Sequence, residues 1–400
     1  MDLTDAPSPL DLLEPPDAAF IDRVVTAARG YLGAHLSFLA EIIGEQKVIR
    51  HAAGPAEAMG MPIGSHFPLA DTYCQRLLHG SIPEVIYDVR NDERARAIPM
   101  TQLIGIDAYM GVPVVMRDGR VLGTLCCINF SADPERRERD VAFMRFLAEL
   151  VTAQLDEALR AQDRRQQRCE TIRAVLRAGG PTMVYQPIVS LDTGEIVGAE
   201  ALARFGAGAE SAPDIWFREA WSLGLGAELE LAAVRTAVAG LALLPAGTFL
   251  SVNASPATLA HPGFGDAINA VPPERLVVEI TEHAVVDDYA PLIEAVARLR
   301  AAGVRIAIDD VGAGYASLRH VLRVSPNIAK LDMSLTRLID ADAVKQALAT
   351  GMVSFAASTG VSVVAEGIET AAEADALRAL GVRFGQGYLF ARPGALPLRI

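Results

Sequence analysis

Runs of apolar residues alternate with amphipathic stretches from about residue 180 to the end of the chain. The strand-like runs are almost continuous Val, Ile and Leu, a pattern typical of parallel strands that are buried on both faces. The stretches between them repeat apolar residues at helical spacing. About eight such strands in roughly 220 residues favour a closed (β/α)8 barrel of the TIM type. An open doubly wound sheet is the alternative, but its Gly-rich phosphate fingerprint is absent.

The first part of the chain has a mixed pattern. Residues 18–133 contain a helical stretch and several short strand-like runs. The clearest signal is AYMGVPVVMRDGRVLGTLCCINF, in which two apolar runs flank Asp118-Gly119. This dipeptide suits the positive φ angles of a tight hairpin turn. The region is therefore predicted to be an α+β module on an antiparallel sheet, preceded by a disordered or loosely docked, Pro-rich and acidic lead-in at residues 1–17.

Residues 134–178 are predicted to form one long helix that joins this module to a barrel at residues 179–400. Apolar residues recur at three- or four-residue steps at Val141, Met144, Leu147, Val151 and Leu155. Beyond Leu159 the pattern is polar on all sides. Two interpretations stay open: a helix that packs back on its own sheet, or a connector that pairs with its copy in a dimer.

Composition narrows the function classes. The net charge of −13 argues against a DNA-binding surface, which would need a basic stripe. The acidic amino terminus is not a secretory signal, and Arg235, Pro245 and Gly247 interrupt the most apolar long stretch, so no membrane span is expected. The four cysteines lack CxxC-type spacing, which is the pattern of a reduced protein. We expect a soluble, cytoplasmic protein.

Polar side chains end seven successive strand-like segments in the second half of the chain. An unpaired charge at the edge of a core is costly, so repeated carboxylates at strand ends predict a shared positive partner. In a barrel these ends open on one face. The candidate residues are Glu200, Asn253, Glu279, Asp309, Asp310, Lys330, Asp332, Glu366 and Gln386.

Ligands that are all oxygen suit Mg²⁺ or Mn²⁺ better than zinc or copper. The adjacent Asp309 and Asp310 can bridge two ions, and ions about 3.5–4 Å apart are the usual device for phosphodiester hydrolysis. Lys330, one of only three lysines, would orient or deprotonate the attacking water, or neutralise transition-state charge. The alternative is a Lys330–Asp332 salt bridge that closes the barrel.

Several motifs then occur in a recognisable order: MVYQPIVSLDTGEIVGAEALAR, VNAS, EITE, DDVGAGYASL, KLD, AEGIE and QGYLFARP. Through them residues 170–400 resemble the EAL domain, the phosphodiesterase of the bacterial second messenger cyclic di-GMP. The resemblance implies a barrel that hydrolyses cyclic di-GMP to linear pGpG with two Mg²⁺ or Mn²⁺ ions. The alternatives are a catalytically silent cyclic di-GMP receptor that signals to a protein partner, and a hydrolase of another phosphodiester. Retention of every metal ligand favours the enzyme.

The resemblance also implies residue roles. One ion would be held by Glu200, Asn253, Glu279 and Asp309, and the other by Asp309, Asp310 and Glu366. Lys330 and Gln386 would contact the catalytic water, and Asp332 would support that end of the site. The substrate side would include Gln186, Leu202 and Arg204.

A loop in this family links the active site to a dimer interface, and Glu282, Gly312 and Gly314 match it; Glu369 matches a further supporting acid. We therefore expect a homodimer. Val311 and Ala313 stand in this loop where Phe and Thr are common, which bears on the coupling and not on metal binding.

The hairpin and the segment IGSHFPLADTYCQRLLHG resemble a GAF domain, a module that senses small molecules or other signals. The resemblance implies that a signal bound there adjusts the phosphodiesterase. Cys74 is followed by Gln75, whereas covalent bilin sites typically have His at that position. Cys74 is therefore predicted to be a buried structural thiol.

Overall fold

The computed structural model describes residues 8–132, 138–206, 212–280, 288–312 and 315–398. The chain divides into two compact units, residues 1–166 and residues 167–400. The strands are β1 (Leu36–Ile43), β2 (Gln46–Ala53), β3 (His66–Pro68), β4 (Val85–Ile86), β5 (Ala108–Val115), β6 (Val121–Asn129), β7 (Thr182–Ser190), β8 (Ile196–Arg204), β9 (Phe249–Ala254), β10 (Leu276–Ile280), β11 (Arg305–Val311), β12 (Ile328–Leu331), β13 (Ser362–Ala365) and β14 (Phe384–Gly385).

Helices connect and cover these strands. They are α1 (Pro15–Leu32), α2 (Tyr73–Leu78), α3 (Glu93–Arg96), α4 (Pro99–Ile104), α5 (Glu138–Arg177), α6 (Pro213–Ser222), α7 (Gly226–Ala239), α8 (Pro256–Ala260), α9 (Phe264–Ile268), α10 (Ala290–Ala301), α11 (Tyr315–Val324), α12 (Met333–Thr336), α13 (Ala343–Thr359) and α14 (Ala371–Ala379). Across the described ranges, none of them is long and apolar enough to cross a membrane.

The first unit is built on an antiparallel sheet with the strand order β3-β2-β1-β6-β5-β4. The predicted hairpin joins β5 to β6, and Gly119 in its turn has a φ of 86°. Apolar residues of α1 and α5 pack on one face of the sheet, and those of α2, α3 and α4 belong to a second core on the other face. The α+β prediction is confirmed.

The two ends of this unit add detail. Before α1, Pro9–Leu12 forms one turn of 3-10 helix, where Asp11 pairs with Arg50, so these residues match the docked alternative rather than the disordered one. Helix α5 runs without a break. Its residues Val141, Met144, Leu147, Val151 and Leu155 are buried in the core of the first unit, and residues 160–168 are exposed.

The second unit is a closed barrel with the strand order β10-β11-β12-β13-β14-β7-β8-β9. One part of the prediction was wrong: the sheet is not parallel throughout, because β7 is antiparallel to both β8 and β14. Only five residues separate β7 from β8, too few for a helical crossover, so these strands form a hairpin. Their turn includes Gly194, which has a φ of 74°.

Apolar residues pack both inside the barrel and between its strands and the surrounding helices. Ile188, Val277, Ala307, Ile328 and Val364 form a buried cluster contributed by five of its strands. A larger cluster joins the outward-facing strand residues to α7, α9 and α10. The strand ends are therefore held by apolar packing on both sides of the sheet.

We expect Ile306→Ala to lower the free energy of unfolding by about 2–5 kcal/mol, because Ile306 on β11 is fully buried and the substitution leaves a cavity. The matched control is Ile293→Ala on α10, where the side chain is 45% exposed and the change should be within about 0.5 kcal/mol. Urea denaturation followed by circular dichroism measures both. Equal stability of the two variants would contradict the proposed packing.

Candidate active site

The register of the barrel strands brings the predicted polar residues to one end. Glu200 on β8 lies opposite Gln186 on β7 and opposite Ser251 on β9. In the next pair, Glu279 on β10 lies opposite Asn253 on β9. Asp309 and Asp310 lie just before the last residue of β11, Lys330 lies near the end of β12, and Glu366 and Gln386 directly follow β13 and β14. The predicted convergence of strand ends therefore holds for these residues.

Lys330 lies at the centre of this group. Its side chain is only 2% exposed, and its Nζ lies 2.7 Å from carboxylate oxygens of Glu279 and Glu366 and 3.2 Å from those of Glu200 and Asp309. Asp332 is not among the ion-pair partners of Lys330 in the described ranges. It caps α12 instead, where its Oδ1 accepts from the backbone N–H of Ser334 at 2.9 Å. The salt-bridge alternative for Lys330 and Asp332 is therefore wrong.

Burial and neighbouring charge act in opposite directions on these groups. Burial lowers the pKa of Lys330, but Asp309, Glu200, Glu279 and Glu366 outweigh it and raise that pKa well above its usual value. Lys330 is therefore an ammonium ion.

The carboxylates respond to the same surroundings. Burial, helped by the charge of Glu200, raises the pKa of Glu279 to about 8, and burial also raises the pKa of Glu366 well above its usual range. Glu200 differs: burial raises its pKa, but Lys330 and the amides of Gln386 and Asn253 lower it below the usual value. For Glu279 and Glu366, burial together with the neighbouring carboxylates thus outweighs the stabilisation that the single ammonium ion provides.

Side-chain amide groups fix the position of the Glu200 carboxylate. Glu200 accepts at Oε2 from Gln386 Nε2 at 2.7 Å and at Oε1 from Asn253 Nδ2 at 2.9 Å. Gln386 Nε2 also donates to Gln186 Oε1 at 3.0 Å, and Gln186 Nε2 donates to the carbonyl of Ala391 at 3.1 Å. These contacts place Gln186 and Gln386 in one network with Glu200.

Ser251 is a site residue that the sequence reasoning missed. Its fully buried hydroxyl donates to Glu279 Oε1 at 2.5 Å. The available signal was its spacing: Ser251 precedes Asn253 by two residues on β9, and alternate strand residues share a face.

The cluster fits a hard divalent cation. Asp309, Asp310 and Glu366 each offer an oxygen, and these atoms lie within 4.8 Å of one another. Among the described residues, the buried Asp309 Oδ1 accepts no hydrogen bond, although Lys330 Nζ lies 3.2 Å from it. Asp310 has a φ of 52°, a conformation that a non-Gly residue adopts at a cost. Donors that are all oxygen, with an unsatisfied carboxylate oxygen among them, match the ligand preference of Mg²⁺ or Mn²⁺.

The remaining predicted residues occupy several places. Leu202 and Arg204 are half-buried and follow Glu200 at period two on β8, so they share its face; Arg204 Nη1 donates to the carbonyl of Ala203 at 2.7 Å. Gly312 has a φ of 111°, and a Cβ there would meet Leu335 Cδ1 at 2.3 Å, so glycine is required. Glu282 and Gly314 lie outside the described residues.

In the described part of the chain, Glu369 is not among the ion-pair partners of Lys330. It is exposed and pairs with Arg337 at 2.5 Å. The buried Glu373 orders this segment instead, because its carboxylate accepts backbone N–H bonds from Leu338, Glu369 and Thr370 at 2.8–3.0 Å. Thr370 and Glu373 form a capping box at the start of α14, a spacing that was readable in the sequence and was missed.

Comparison with known families identifies both units. The sequence profile of the EAL domain matches residues 169–393, more than half of the chain. The chain belongs to the EAL-domain family. The profile of the GAF domain matches residues 18–155, which include the sheet of the first unit.

Relatives of this EAL-domain protein include named phosphodiesterases. The cyclic di-GMP phosphodiesterase RocR of Pseudomonas aeruginosa is 30% identical over 230 residues, which cover 52% of this chain and 56% of RocR. The probable cyclic di-GMP phosphodiesterase PdeB of Escherichia coli is 35% identical over 231 residues, 53% of this chain and 42% of PdeB. An Azorhizobium caulinodans protein is 32% identical over 259 residues, yet this chain spans only 35% of its length.

A solved structure supports the fold of the barrel. The EAL domain of Xanthomonas citri FimX, in complex with c-diGMP, superposes with a TM-score of 0.53 at 23% identity and covers 60% of this chain and 98% of that domain. At this identity the similarity concerns the fold alone.

We expect Lys330→Met to lower the free energy of unfolding by about 3–5 kcal/mol in metal-free buffer, because it leaves the surrounding buried carboxylates without their cation. Lys345→Met is the matched control: its ammonium donates to the carbonyl of Arg337 near the surface, and its loss should cost about 1 kcal/mol or less. Urea denaturation in EDTA separates the two. A Lys330→Met variant as stable as the control would refute the central role of this ammonium.

Proposed function

We propose that the EAL domain hydrolyses cyclic di-GMP to linear pGpG with the help of two divalent ions. The observation that carries the proposal is the group of carboxylates around Lys330 at the barrel end. The relatives RocR and PdeB, named for this activity, point to the same substrate. Five carboxylates and one ammonium leave four negative charges when all are ionised, and two divalent ions would neutralise them.

The residues divide into two ligand sets in this proposal. Glu200, Asn253, Glu279 and Asp309 would hold one Mg²⁺ or Mn²⁺, and Asp309, Asp310 and Glu366 would hold the other. Bound ions would polarise the phosphodiester and lower the pKa of a coordinated water, the chemistry that such paired sites supply. The unsatisfied Oδ1 of Asp309 supports a bridging role for that residue.

The chain's own side chains would fix this geometry. Amide donors hold both oxygens of Glu200, and Ser251 and Lys330 hold those of Glu279, so these carboxylates are preorganised before any ligand arrives. The carboxylates around Lys330 favour its ammonium form, so we assign it charge neutralisation and water positioning rather than proton abstraction. Gln386, whose buried Oε1 has no partner in the described chain, would accept from the catalytic water.

The substrate would lie along the face of β8 beyond Glu200. Arg204 uses one of its five N–H donors on a backbone carbonyl and can offer others to a phosphate. Leu202 lies between them on the same face and Gln186 lies opposite Glu200, so both would border the bound nucleotide.

We assign to the GAF domain the role of adjusting this activity in response to a signal. Helix α5 supports the assignment because its residues contribute to an apolar core in each unit. Leu155 is buried in the core of the first unit and Ile172 in a cluster of the second.

The direct test is chromatography of the products formed from cyclic di-GMP with Mn²⁺ or Mg²⁺. We expect pGpG with metal and none with EDTA, and we expect Glu200→Gln to reduce the rate at least about 100-fold, because it removes a charged ligand without changing the shape. Glu195→Gln, an exposed carboxylate at the β7–β8 turn, should retain the full rate. Binding without turnover would instead make the chain a receptor.

We propose further that the chain forms a homodimer through α13. This helix exposes Val344, Leu348 and Phe355 on one stripe, with exposed fractions of 78%, 48% and 40%. Such a row of large apolar side chains is typical of a buried interface.

Leu348→Asp should therefore shift the mass in solution to that of one chain, 42.5 kDa, because it places a charge in the proposed interface. Thr350→Asp, exposed on another side of α13, is the control and should leave the dimer intact. Light scattering after size-exclusion chromatography measures both masses. A single-chain mass for the unmodified protein would contradict the proposal.

A further inference from the structure

A small cavity in the first unit contains a buried cation and a thiol. It has a volume of about 10 Å³, room for one molecule the size of water, and its lining includes Phe38, Lys47, Tyr73, Cys74 and Tyr109. Lys47 is only 3% exposed, and its Nζ lies 4.5 Å from the ring centroid of Phe38 and 5.4 Å from that of Phe67. In the described ranges no carboxylate lies within 4.0 Å of this ammonium. Burial of a cation without a paired anion costs free energy, so a negative charge in the cavity would stabilise Lys47.

Cys74 can supply that charge, because a relay of donors ends at its sulfur. Thr124 Oγ1 donates to Cys74 Sγ at 3.0 Å, and Cys126 Sγ donates to Thr124 Oγ1 at 3.3 Å. The hydroxyl of Tyr109 lies 3.5 Å from Cys126 Sγ. Both thiols are fully buried and both contact one threonine hydroxyl, so they are neighbours in the core.

The proton distribution follows this relay. The thiol of Cys126 lowers the pKa of Cys74; burial opposes it, and Lys47 and Thr124 add to the lowering, which brings the pKa to about 6. Burial raises the pKa of Cys126 well above its usual range. The hydroxyl that Thr124 donates to Cys74 Sγ and the ammonium of Lys47 in the same cavity therefore favour the thiolate form of Cys74, whereas burial favours the protonated form of Cys126.

We propose that Cys74 is an oxidation site for hydrogen peroxide and that Cys126 is its resolving thiol. The thiolate of Cys74 attacks a peroxide oxygen, the O–O bond breaks, and the departing hydroxide takes a proton from solvent. Cys74 is left as a sulfenic acid. The sulfur of Cys126 then attacks Cys74, and the hydroxide leaves as water with the proton of Cys126. Two thiols lose two electrons, the peroxide gains them, and a Cys74–Cys126 disulfide and two waters result.

The cavity sets the selectivity of this site. It holds a molecule no larger than water, so hydrogen peroxide, the smallest hydroperoxide, needs the least widening of the cavity, whereas aromatic disulfide reagents and bulky alkylating agents are excluded. Lys47 keeps the thiolate in place and would stabilise the hydroxide that leaves. The other buried thiol, Cys127, belongs to the core on the opposite face of the sheet and lies outside this relay.

The test treats the reduced full-length protein with hydrogen peroxide, then alkylates it under denaturing conditions and maps its peptides by mass spectrometry. We expect a Cys74–Cys126 disulfide in the unmodified chain and a Cys74 sulfenic acid, trapped by dimedone upon unfolding, in Cys126→Ser. Cys169, a part-exposed thiol of helix α5, is the internal reference and should oxidise more slowly than Cys74.

Two variants test the cause of the reactivity. Lys47→Met and Thr124→Val each remove one contribution to the thiolate, so each should slow oxidation of Cys74 roughly tenfold at pH 7. Thr124→Val preserves volume and provides the test if Lys47→Met does not fold, as judged by circular dichroism. Faster oxidation of Cys169 than of Cys74, or an unchanged Cys74 rate in a folded variant, would overturn the proposal.

Discussion

The barrel end is organised by one buried ammonium group. Lys330 lies within ion-pair distance of carboxylates from three strands and from the residue after a fourth, at a place where hardly any solvent reaches. Without a cation, like charges so close together would repel each other and separate. The strand register brings these carboxylates to Lys330. The amide groups of Asn253 and Gln386 then fix Glu200 by hydrogen bonds, while Asp309 Oδ1 accepts none from the described residues. The EAL domain thus holds an excess of negative charge at the barrel end, which divalent ions can neutralise.

Much of this site was predictable because strand ends follow a simple rule. Carboxylates at the ends of apolar strands predicted a group made of Glu200, Glu279, Asp309 and Glu366. These side chains converge because the carboxyl ends of parallel barrel strands open on one face. Less predictable were contacts that depend on exact neighbours. Ser251 bonds to Glu279 through a register that the sequence leaves open, and Asp332 follows KL in the same motif as Lys330 yet caps a helix. Spacing alone could not separate a ligand from a cap.

The fold shows the same division. Hydrophobic period and strand count predicted a barrel, and the Asp-Gly hairpin of the first unit formed as expected. The antiparallel direction of β7 was not predicted, because the apolar pattern of a strand does not indicate its direction. The short turn at Asp192–Gly194 does indicate that β7 and β8 form a hairpin. Two of the three lysines are buried, Lys330 among carboxylates and Lys47 over aromatic rings. Burial of a lysine costs free energy. In each unit the buried lysine lies beside the residues to which we assign a reaction, the carboxylates around Lys330 and the thiols near Lys47.

The central claim is that the carboxylates around Lys330 form a site for two divalent ions. Calorimetric titration of the metal-free protein with Mn²⁺ counts those ions directly. We expect two ions per chain in the unmodified protein and loss of saturable binding in Asp309→Asn, because Asp309 belongs to both proposed ligand sets. Absence of saturable Mn²⁺ binding in the unmodified chain, or full binding in Asp309→Asn, would contradict the account.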